Sequence, residues 1–274
     1  MQFPIAYWWS RENDKKITLG LDKISLSGTV SLFEAQPCVE KVILLDGITT
    51  HSKGGQPWNF GFKKEDYEKW DGVVHLGFHF LPNRQLTMFV RDKFPFIEVD
   101  DEKLSETPSI VHGCISYQNP FNPKRRVVLH GQQRCPHTRR PPKFWKVLEQ
   151  IAPFLDDFEE KVFVGLASDR PTTKPDGWTE FDDGGNWLKL ANFINDSALV
   201  IGCGSSIVAL AGAMKVPSIR IHDKIEGMDY RIFSNLGQNQ LNLDDPEEGY
   251  VNAVDKFIKE HVRPRSEISL TPSL

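Results

Sequence analysis

The stretch from Asn195 to Ile221 constrains the fold of this chain more than any other part of its sequence. An apolar run at 198–201 ends in glycine and serine residues, a helix pattern rich in small residues follows at 206–214, and a second apolar run begins at Val216. Strand, turn, helix and strand in this order form a βαβ unit, whose strands lie parallel in a sheet covered by helices. We therefore expect an α/β fold.

The turn of this unit, Gly204-Ser205-Ser206, predicts a binding site for a phosphate-bearing ligand. Ligands of open parallel sheets bind at the carboxyl ends of the strands, and the first amides of a helix attract anions. Glycine and serine are also favoured in turns and at helix N-caps. Taken alone, the motif is equally consistent with binding and with capping.

The composition indicates a globular protein of one large domain or two ordinary ones, since 39% of its 274 residues are hydrophobic and 26% are charged. No apolar run approaches the roughly 20 residues that span a bilayer, and the first residues lack the pattern of a secretory signal. The four cysteines are scattered without a CxxC pair, so we expect neither disulfides nor a zinc site. The expected location is the cytoplasm.

Charge is distributed unevenly in this acidic chain, whose formal net charge is −4. The segment 124–146 contains no Asp or Glu and carries eight basic residues: Lys124, Arg125, Arg126, Arg134, Arg139, Arg140, Lys143 and Lys146. A solvated basic face is the plain interpretation, but so one-sided a block usually meets an anion. A nucleotide diphosphate would suffice, and a nucleic-acid backbone is the alternative.

A Pro/Asn-rich stretch at 118–123 predicts a linker between two lobes, one at 1–120 and one at 121–262, followed by a tail at 263–274. In the first lobe the pattern predicts strands at 4–9, 17–21, 42–45, 73–76 and 86–90 and helices at 28–35 and 63–70. In the second it predicts strands at 126–130, 162–166, 198–201 and 218–221 and helices at 142–155, 187–194, 206–214 and 246–261.

The second lobe resembles the donor lobe of heptosyltransferase-like (GT9-type) GT-B glycosyltransferases. The run VVLHGQQRCPHTRRPPKFWKVLEQI is similar to the strand, loop and helix that open that lobe. The run GCGSSIVALAGAMKVPSI is similar to the family motif Gly-Asn-Asp-Ser-Gly-Pro-x-His-Leu-Ala-Ala-Ala-x-x-x-Pro. The matching residues are Gly202, Ser205, Leu210, Ala211, Ala213 and Pro217. The resemblance implies a GT-B-like fold, with two Rossmann-like lobes and a cleft between them.

The chain departs from the family pattern at three positions that matter for chemistry. The motif acid falls on Gly204 and the motif histidine on Ala209. The family's Gly-Asp pair near the N-terminus, whose Asp is the catalytic base, has no clean match, although Asp22 lies nearest in relative position. The resemblance therefore implies a divergent sugar transferase that retains a donor site better than it retains the usual base or the usual heptose substrate.

Such a transferase implies a nucleotide-sugar donor, a glycan or other hydroxyl acceptor, and no metal or other cofactor. Arginines and helix amides would hold the leaving diphosphate, and residues after neighbouring strands would hold the nucleoside. The expected donor-binding residues are Gln132, Arg134, Arg139, Arg140, Ser168, Asp169, Gly204, Ser205 and Ser206. No Asp-x-Asp motif or histidine cluster with ligand spacing predicts a metal site.

For the base that takes the acceptor's proton, Asp22 is the first candidate, Asp46 the second and His51 the third. Two other functions stay open. One is a virus-encoded type of DNA glycosyltransferase acting on hydroxymethylated bases, which the basic block favours and the net charge opposes. The other is a catalytically dead GT-B binding module, which the lost Asp and His favour. An unrelated doubly wound nucleotide-binding protein, such as a dinucleotide enzyme, ranks last, because no GxGxxG follows a first strand.

Overall fold

The computed structural model describes residues 3–45, 115, 124–130, 144–165, 175–203, 206–222, 239–244 and 249–262. The helix predicted at 63–70 and the strands predicted at 73–76 and 86–90 lie outside these ranges. So do the residues on either side of the boundary predicted at 120 and those that follow the boundary predicted at 262, and that division into lobes stays a prediction.

The N-terminal part of the chain forms a pair of parallel strands with helices around it. Its elements are α1 (Phe3–Asn13), β1 (Ile17–Asp22), α2 (Lys23–Leu26), a 3₁₀ turn (Ser27–Thr29), α3 (Val30–Glu34) and β2 (Val39–Leu45). The strands β1 and β2 pair in parallel from Ile17 opposite Val39 to Asp22 opposite Leu45. The predictions of strands at 17–21 and 42–45 and of a helix at 28–35 are confirmed.

The strand predicted at 4–9 is wrong, because these residues belong to α1. Phe3 and Tyr7 are one helical turn apart, and both contact the same hydrophobic cluster. The Phe3 ring lies 4.9 Å from the ring of Phe33 in α3. A short apolar run does not distinguish a buried helix from a strand by periodicity, so only these contacts decide the conformation.

The second part of the chain forms a six-stranded sheet in which every neighbouring pair is parallel. Its elements are β3 (Lys124–His130), α4 (Phe144–Ile151), β4 (Glu160–Val164), β5 (Thr179–Phe181), α5 (Trp187–Asn195), β6 (Ser197–Gly202), α6 (Ser206–Ala213), β7 (Ser218–His222), β8 (Gln240–Asp244) and α7 (Tyr250–His261). The spatial order is β5-β4-β3-β6-β7-β8. The predicted α/β fold with a parallel sheet is confirmed.

The two outermost strands of this sheet, β5 and β8, have no counterpart in the sequence-based prediction. The segment Thr179–Phe181 is three residues long and mostly polar, and Gln240–Asp244 alternates polar with apolar side chains. Edge strands bury only part of their surface, so they lack the apolar run that marks a central strand.

Helices cover both faces of the six-stranded sheet. Side chains of successive residues point to opposite faces, so that Val128 and Val200 pack beneath α5 and α6, while Leu129 and Ile201 pack against α4 and α7. Many of these side chains are fully buried. Both faces therefore exclude water, and ligands can approach the sheet only at the ends of its strands.

The N-terminal part shares one hydrophobic core with the α5 and α6 side of the large sheet. Leu32 of α3 and Val39 of β2 belong to the same cluster as Leu190 and Ile194 of α5. The backbone N–H of Ile115 also donates a hydrogen bond to the carbonyl of Ala213, 3.2 Å away. The described residues on either side of the predicted linker are thus packed directly against each other.

Candidate functional site

The order of the strands places a topological switch point between β3 and β6. From β3 the chain proceeds to β4 and β5 on one side, and from β6 it proceeds to β7 and β8 on the other. The last residues of these central strands, His130 and Gly202, are paired across the sheet. Parallel α/β sheets bind their ligands at the carboxyl edge of such a switch point. The edge formed by His130 and Gly202 is therefore the candidate binding site.

Gly202 lets the two central strands end in close contact with α6. A Cβ atom at this position would lie 2.9 Å from Cγ2 of Val208 and 3.0 Å from the carbonyl oxygen of His130. Both distances are shorter than ordinary van der Waals contacts, and Val208 is buried. The glycine thus permits the turn after β6 to stay close to the end of β3.

His130 is a polar residue at this edge that the sequence-based site did not include. Its side chain is 2% exposed. The Nδ1 atom lies 2.8 Å from the carbonyl oxygen of Val164 in the neighbouring strand. A carbonyl only accepts hydrogen bonds, so Nδ1 carries the hydrogen and the ring is held against β4. The sequence signal for this residue is a histidine at the end of a buried strand. On its own, that position indicates only where the strand ends.

Helix α6 begins at Ser206, directly after the turn that follows β6. Ser206 is exposed, whereas the small residues Ala211, Gly212 and Ala213 are buried against the sheet. The first amides of this helix belong to the same edge as His130 and Gly202. The helix predicted at 206–214 is confirmed, with Ser206 as its first residue, and the binding role of Ser206 stays a prediction.

Arg220 is a second residue at this edge that the sequence-based site missed. It lies in β7, paired with Gly202 of β6, and is 4% exposed. Its backbone is therefore adjacent to the end of β6, and its side chain is almost fully buried. The apolar run at 218–221 predicted a buried strand, and a single arginine within it carried no separate signal.

Two members of the basic block, Arg125 and Arg126, make their contacts within the protein. The Nε atom of Arg126 lies 2.6 Å from a carboxylate oxygen of Glu160, and its guanidinium carbon lies 4.0 Å from the ring centre of Phe193. The Nε–H of Arg125 donates to the carbonyl of Asp157 over 2.9 Å. These two side chains bond to the segment around β4. Fewer residues of the basic block are therefore available to an anion than the sequence indicated.

The structure brings together the ends of the two strands that carry the leading candidate bases. Asp22 ends β1 and is paired with Leu45, the last residue of β2, and Asp46 is the next residue in the chain. Asp46 and His51 themselves lie outside the described residues. Of the three candidates, the structure therefore describes only the backbone position of Asp22, at the carboxyl end of β1.

Most of the predicted donor-binding residues also lie outside the described ranges. They are Gln132, Arg134, Arg139, Arg140, Ser168, Asp169, Gly204 and Ser205. Gly165, which follows the end of β4, is the last described residue before Ser168 and Asp169. The placement of this group stays a prediction.

The N-terminal part meets the large sheet at the turn that precedes α5. A Cβ atom on Gly28 would lie 2.5 Å from the carbonyl oxygen of Gly185. The hydroxyl of Ser31 donates to Oδ1 of Asn186 over 3.2 Å, and the same oxygen caps α5 by accepting from the N–H groups of Leu188 and Lys189. A backbone-to-backbone contact and a shared helix cap thus join the two parts.

Within the described ranges, no three His, Cys, Asp or Glu side chains come together as a metal-binding group. None of the helices in those same ranges has the length and apolar character that crossing a bilayer requires. Cys38 and Cys203 are both buried free thiols. Burial raises the pKa of the Cys38 thiol, which keeps it protonated and poorly nucleophilic.

The fold is shared with solved glycosyltransferases over nearly the whole chain. The heptosyltransferase WaaC of E. coli, solved with ADP, matches with a TM-score of 0.54 at 12% identity, over 94% of this chain and 95% of its own. The family 9 glycosyl transferase of Veillonella parvula DSM 2008 matches with a TM-score of 0.54 at 14% identity, over 97% and 90%. The ADP-heptose lps heptosyltransferase II of E. coli matches with a TM-score of 0.50 at 9% identity, over 96% and 95%.

The fold is that of the GT-B heptosyltransferases. The expectation of a GT-B-like α/β fold is therefore confirmed. No protein-family model and no curated protein sequence matches the chain, so the likeness rests on structure alone. In this fold the edge that holds His130, Gly202, Ser206 and Arg220 belongs to the C-terminal sheet.

Proposed function

We propose that this protein is a glycosyltransferase that moves a sugar, of the hexose or heptose type, from a nucleotide-sugar to a hydroxyl acceptor. One observation carries the proposal. A GT-B-type fold, shared with a heptosyltransferase solved with ADP, presents a strand-order reversal with a helix N-terminus and a buried arginine at one edge. Since one fold hosts many functions, the residues of this edge support the proposal more than the fold does.

The donor's diphosphate is the ligand that fits this edge best. We assign its oxygens to the amides of Gly204, Ser205 and Ser206 and to Arg220, together with Arg134, Arg139 and Arg140. Helix amides and arginines stabilise the negative charge that develops on a leaving diphosphate. Gln132, Ser168 and Asp169 follow β3 and β4 in the chain, and we assign the nucleoside to them. In this proposal positive side chains and amides stabilise the charge of the leaving diphosphate, which a metal ion does in other enzymes. No metal or other cofactor is therefore required.

The chemical step is a displacement at the anomeric carbon of the donor sugar. The acceptor oxygen forms the new bond to that carbon, the bond to the phosphate oxygen breaks, and the diphosphate leaves with the electron pair. A carboxylate must take the acceptor's proton, and Asp22 and Asp46 are the proposed bases. The adjacent ends of β1 and β2 support this pair, because Asp22 ends one strand and Asp46 follows the other in sequence.

For the acceptor we propose a glycan or another hydroxyl compound, and for the location the cytoplasm, whose reducing conditions suit the two free thiols. The alternative of DNA as acceptor depended on the basic block. Arg125 and Arg126 contribute less to that block than the sequence indicated, because both are bonded within the protein.

The test is a thermal-shift measurement with ADP, UDP, GDP, CMP and their common sugar derivatives. One nucleotide at about 100 times its Kd should stabilise the native state by about 2.7 kcal/mol. The shift should disappear in Arg140→Ala and Ser205→Ala and persist in Lys146→Ala, an exposed member of the same basic block.

Absence of a shift with every nucleotide would overturn the donor site and leave a catalytically dead binding module as the better interpretation. Duplex DNA with hydroxymethylated bases completes the panel. A strongly salt-dependent affinity for that duplex would replace the glycan with DNA as the acceptor.

A further inference from the structure

His130 contacts the ends of both strands that flank β3. The paired residues of β3 and β4 end at Leu129 opposite Phe163. The His130 ring continues this contact by one residue, because its Nδ1–H donates to the carbonyl of Val164, the last residue of β4, over 2.8 Å. On the other side the backbone of His130 is paired with Gly202, the last residue of β6. One residue thus connects the ends of three neighbouring strands.

These contacts leave little space for movement at the strand ends. A Cβ atom on Gly202 would lie 3.0 Å from the carbonyl oxygen of His130 and 3.6 Å from its Cβ atom. The side chains of His130 and Val164 are both buried. Because protein interiors are close-packed, the ring cannot shift unless the ends of β3 and β4 shift with it.

The residues that we assign to the donor follow these same strand ends in the chain. Gln132 follows β3, Ser168 and Asp169 follow β4, and the turn 204–206 follows β6. A binding site has to keep its groups within about 0.5 Å of the geometry that its ligand needs. The way in which the ends of β3, β4 and β6 are held together therefore affects every part of the proposed donor site.

The hydrogen bond of the His130 ring can be removed and restored by substitution. Nδ1 carries the hydrogen, because the Val164 carbonyl can only accept. Leucine has a similar volume to histidine but no donor. Asparagine can place an N–H group close to the position of Nδ1. The two substitutions therefore separate the hydrogen bond from the mere presence of a side chain.

We propose that His130 is a positioning residue of the donor site. By holding the end of β4 next to the ends of β3 and β6, it sets the distance between the groups that bind the nucleoside and the groups that bind the diphosphate. The inference rests on the proposed function, because the ligand is the donor of that reaction. His130 acts through the strand ends and needs no contact with the ligand.

The experiment measures the affinity for ADP, UDP and GDP by calorimetry in wild type, His130→Leu, His130→Asn and Gln36→Leu. Gln36 is the matched control, since its side chain is also buried and its Nε2 atom donates to the carbonyl of Leu32 over the same 2.8 Å, in the N-terminal part. We expect His130→Leu to weaken nucleotide binding about 10- to 100-fold, because small displacements of binding groups have effects of this size. His130→Asn should recover most of the affinity, and Gln36→Leu should leave it unchanged.

Thermal unfolding of the same variants separates positioning from stability. His130→Leu and Gln36→Leu each lose a buried hydrogen bond, so both should lower the Tm, whereas only His130→Leu should lower the affinity. Weaker binding in both variants would mean that affinity follows stability, and it would overturn the positioning role. Failure of His130→Asn to recover binding would overturn it as well, because the hydrogen bond would then not be the cause.

The outcomes also distinguish this inference from the proposed function. Equal affinity of wild type and His130→Leu for a nucleotide overturns the role of His130 and leaves the proposed function standing. If wild type binds none of the three nucleotides, the proposed function and the role of His130 fall together.

A spectroscopic measurement on wild type does not depend on the folding of any variant. In NMR spectra of isotope-labelled histidine side chains, we expect His130 in the Nδ1–H tautomer, with an Nδ1–H signal that shifts when the bound nucleotide is added. A purely structural histidine would keep its signals unchanged. Unchanged signals, or an Nε2–H tautomer, would overturn the positioning role even where His130→Leu does not fold.

Discussion

At both Gly28 and Gly202 the backbone lies very close to another part of the protein, but the neighbouring parts differ. At Gly202 a Cβ atom would meet the side chain of Val208, in the same βαβ unit, and the carbonyl oxygen of His130 at the end of the adjacent strand β3. At Gly28 it would meet the backbone carbonyl of Gly185, more than 150 residues along the chain. The Val208 contact belongs to a local motif, whereas the Gly185 contact exists only because two distant segments of the chain pack together.

The two positions differ in how their neighbours can make space for an added methyl group. The atom nearest to a Gly202 Cβ belongs to the Val208 side chain, which mutation can shorten, whereas the atom nearest to a Gly28 Cβ is a backbone carbonyl oxygen, which mutation cannot remove. We therefore expect substitutions at Gly28 to be more disruptive than the same substitutions at Gly202.

The largest expected effect is that of Gly28→Ala. Its Cβ would lie 2.5 Å from the Gly185 carbonyl oxygen, so the N-terminal part must shift away from α5. We expect a loss of about 3 kcal/mol in the free energy of unfolding, measured by urea denaturation. Ser27→Ala, an exposed neighbour in the same 3₁₀ turn, is the control and should stay within about 0.5 kcal/mol of wild type. A similarly small change for Gly28→Ala would show that the junction is not tightly packed.

Gly202→Ala should destabilise the protein by about 2 kcal/mol, because Val208 and the His130 carbonyl restrict the space for a methyl group. Val208→Ala removes the closest atom. The double variant should therefore be less destabilised than the sum of the two single variants, which a double-mutant cycle measures.

The matching cycle at the junction combines Gly28→Ala with Trp187→Ala, whose Cδ1 atom is the nearest side-chain atom at 3.4 Å. Here the coupling should be near zero, since the close contact is with backbone. Favourable coupling of similar size in both cycles would contradict the distinction between the two glycines.

The smallest expected effect concerns the cap that joins the parts. Asn186→Ala removes the oxygen that accepts from the N–H groups of Leu188 and Lys189 and from the Ser31 hydroxyl. We expect a loss of about 1 kcal/mol in thermal or urea unfolding. Ser31→Ala removes only the exposed hydrogen bond and should cost less, about 0.5 kcal/mol. An equal effect of Ser31→Ala would mean that the junction, and not the helix cap, is the main function of Asn186.

The central strands and their helices were predictable because each is defined by neighbouring residues. The runs at 126–130, 198–201 and 218–221 correspond to β3, β6 and β7, and the small-residue helix after the glycine turn corresponds to α6. The strand predicted at 162–166 begins two residues earlier, as β4 (Glu160–Val164). The helix predicted at 246–261 corresponds to α7, which begins at Tyr250.

The candidate site was only partly predictable. Ser206 follows from the local motif, because a serine after a glycine turn at the start of a helix is visible in the sequence. His130 and Arg220 are not, since each depends on a partner in another strand: Val164 for His130 and Gly202 for Arg220.

The sequence by itself determined the α/β class and the parallel central strands, because hydrophobic periodicity and turn chemistry act over a few residues. Tertiary structure alone decided that the residues at 4–9 form a helix, that β5 and β8 complete the sheet, and that Gly28 lies against Gly185. These outcomes depend on burial and on contacts between distant segments, whose free energy exceeds the small local preferences of the residues involved.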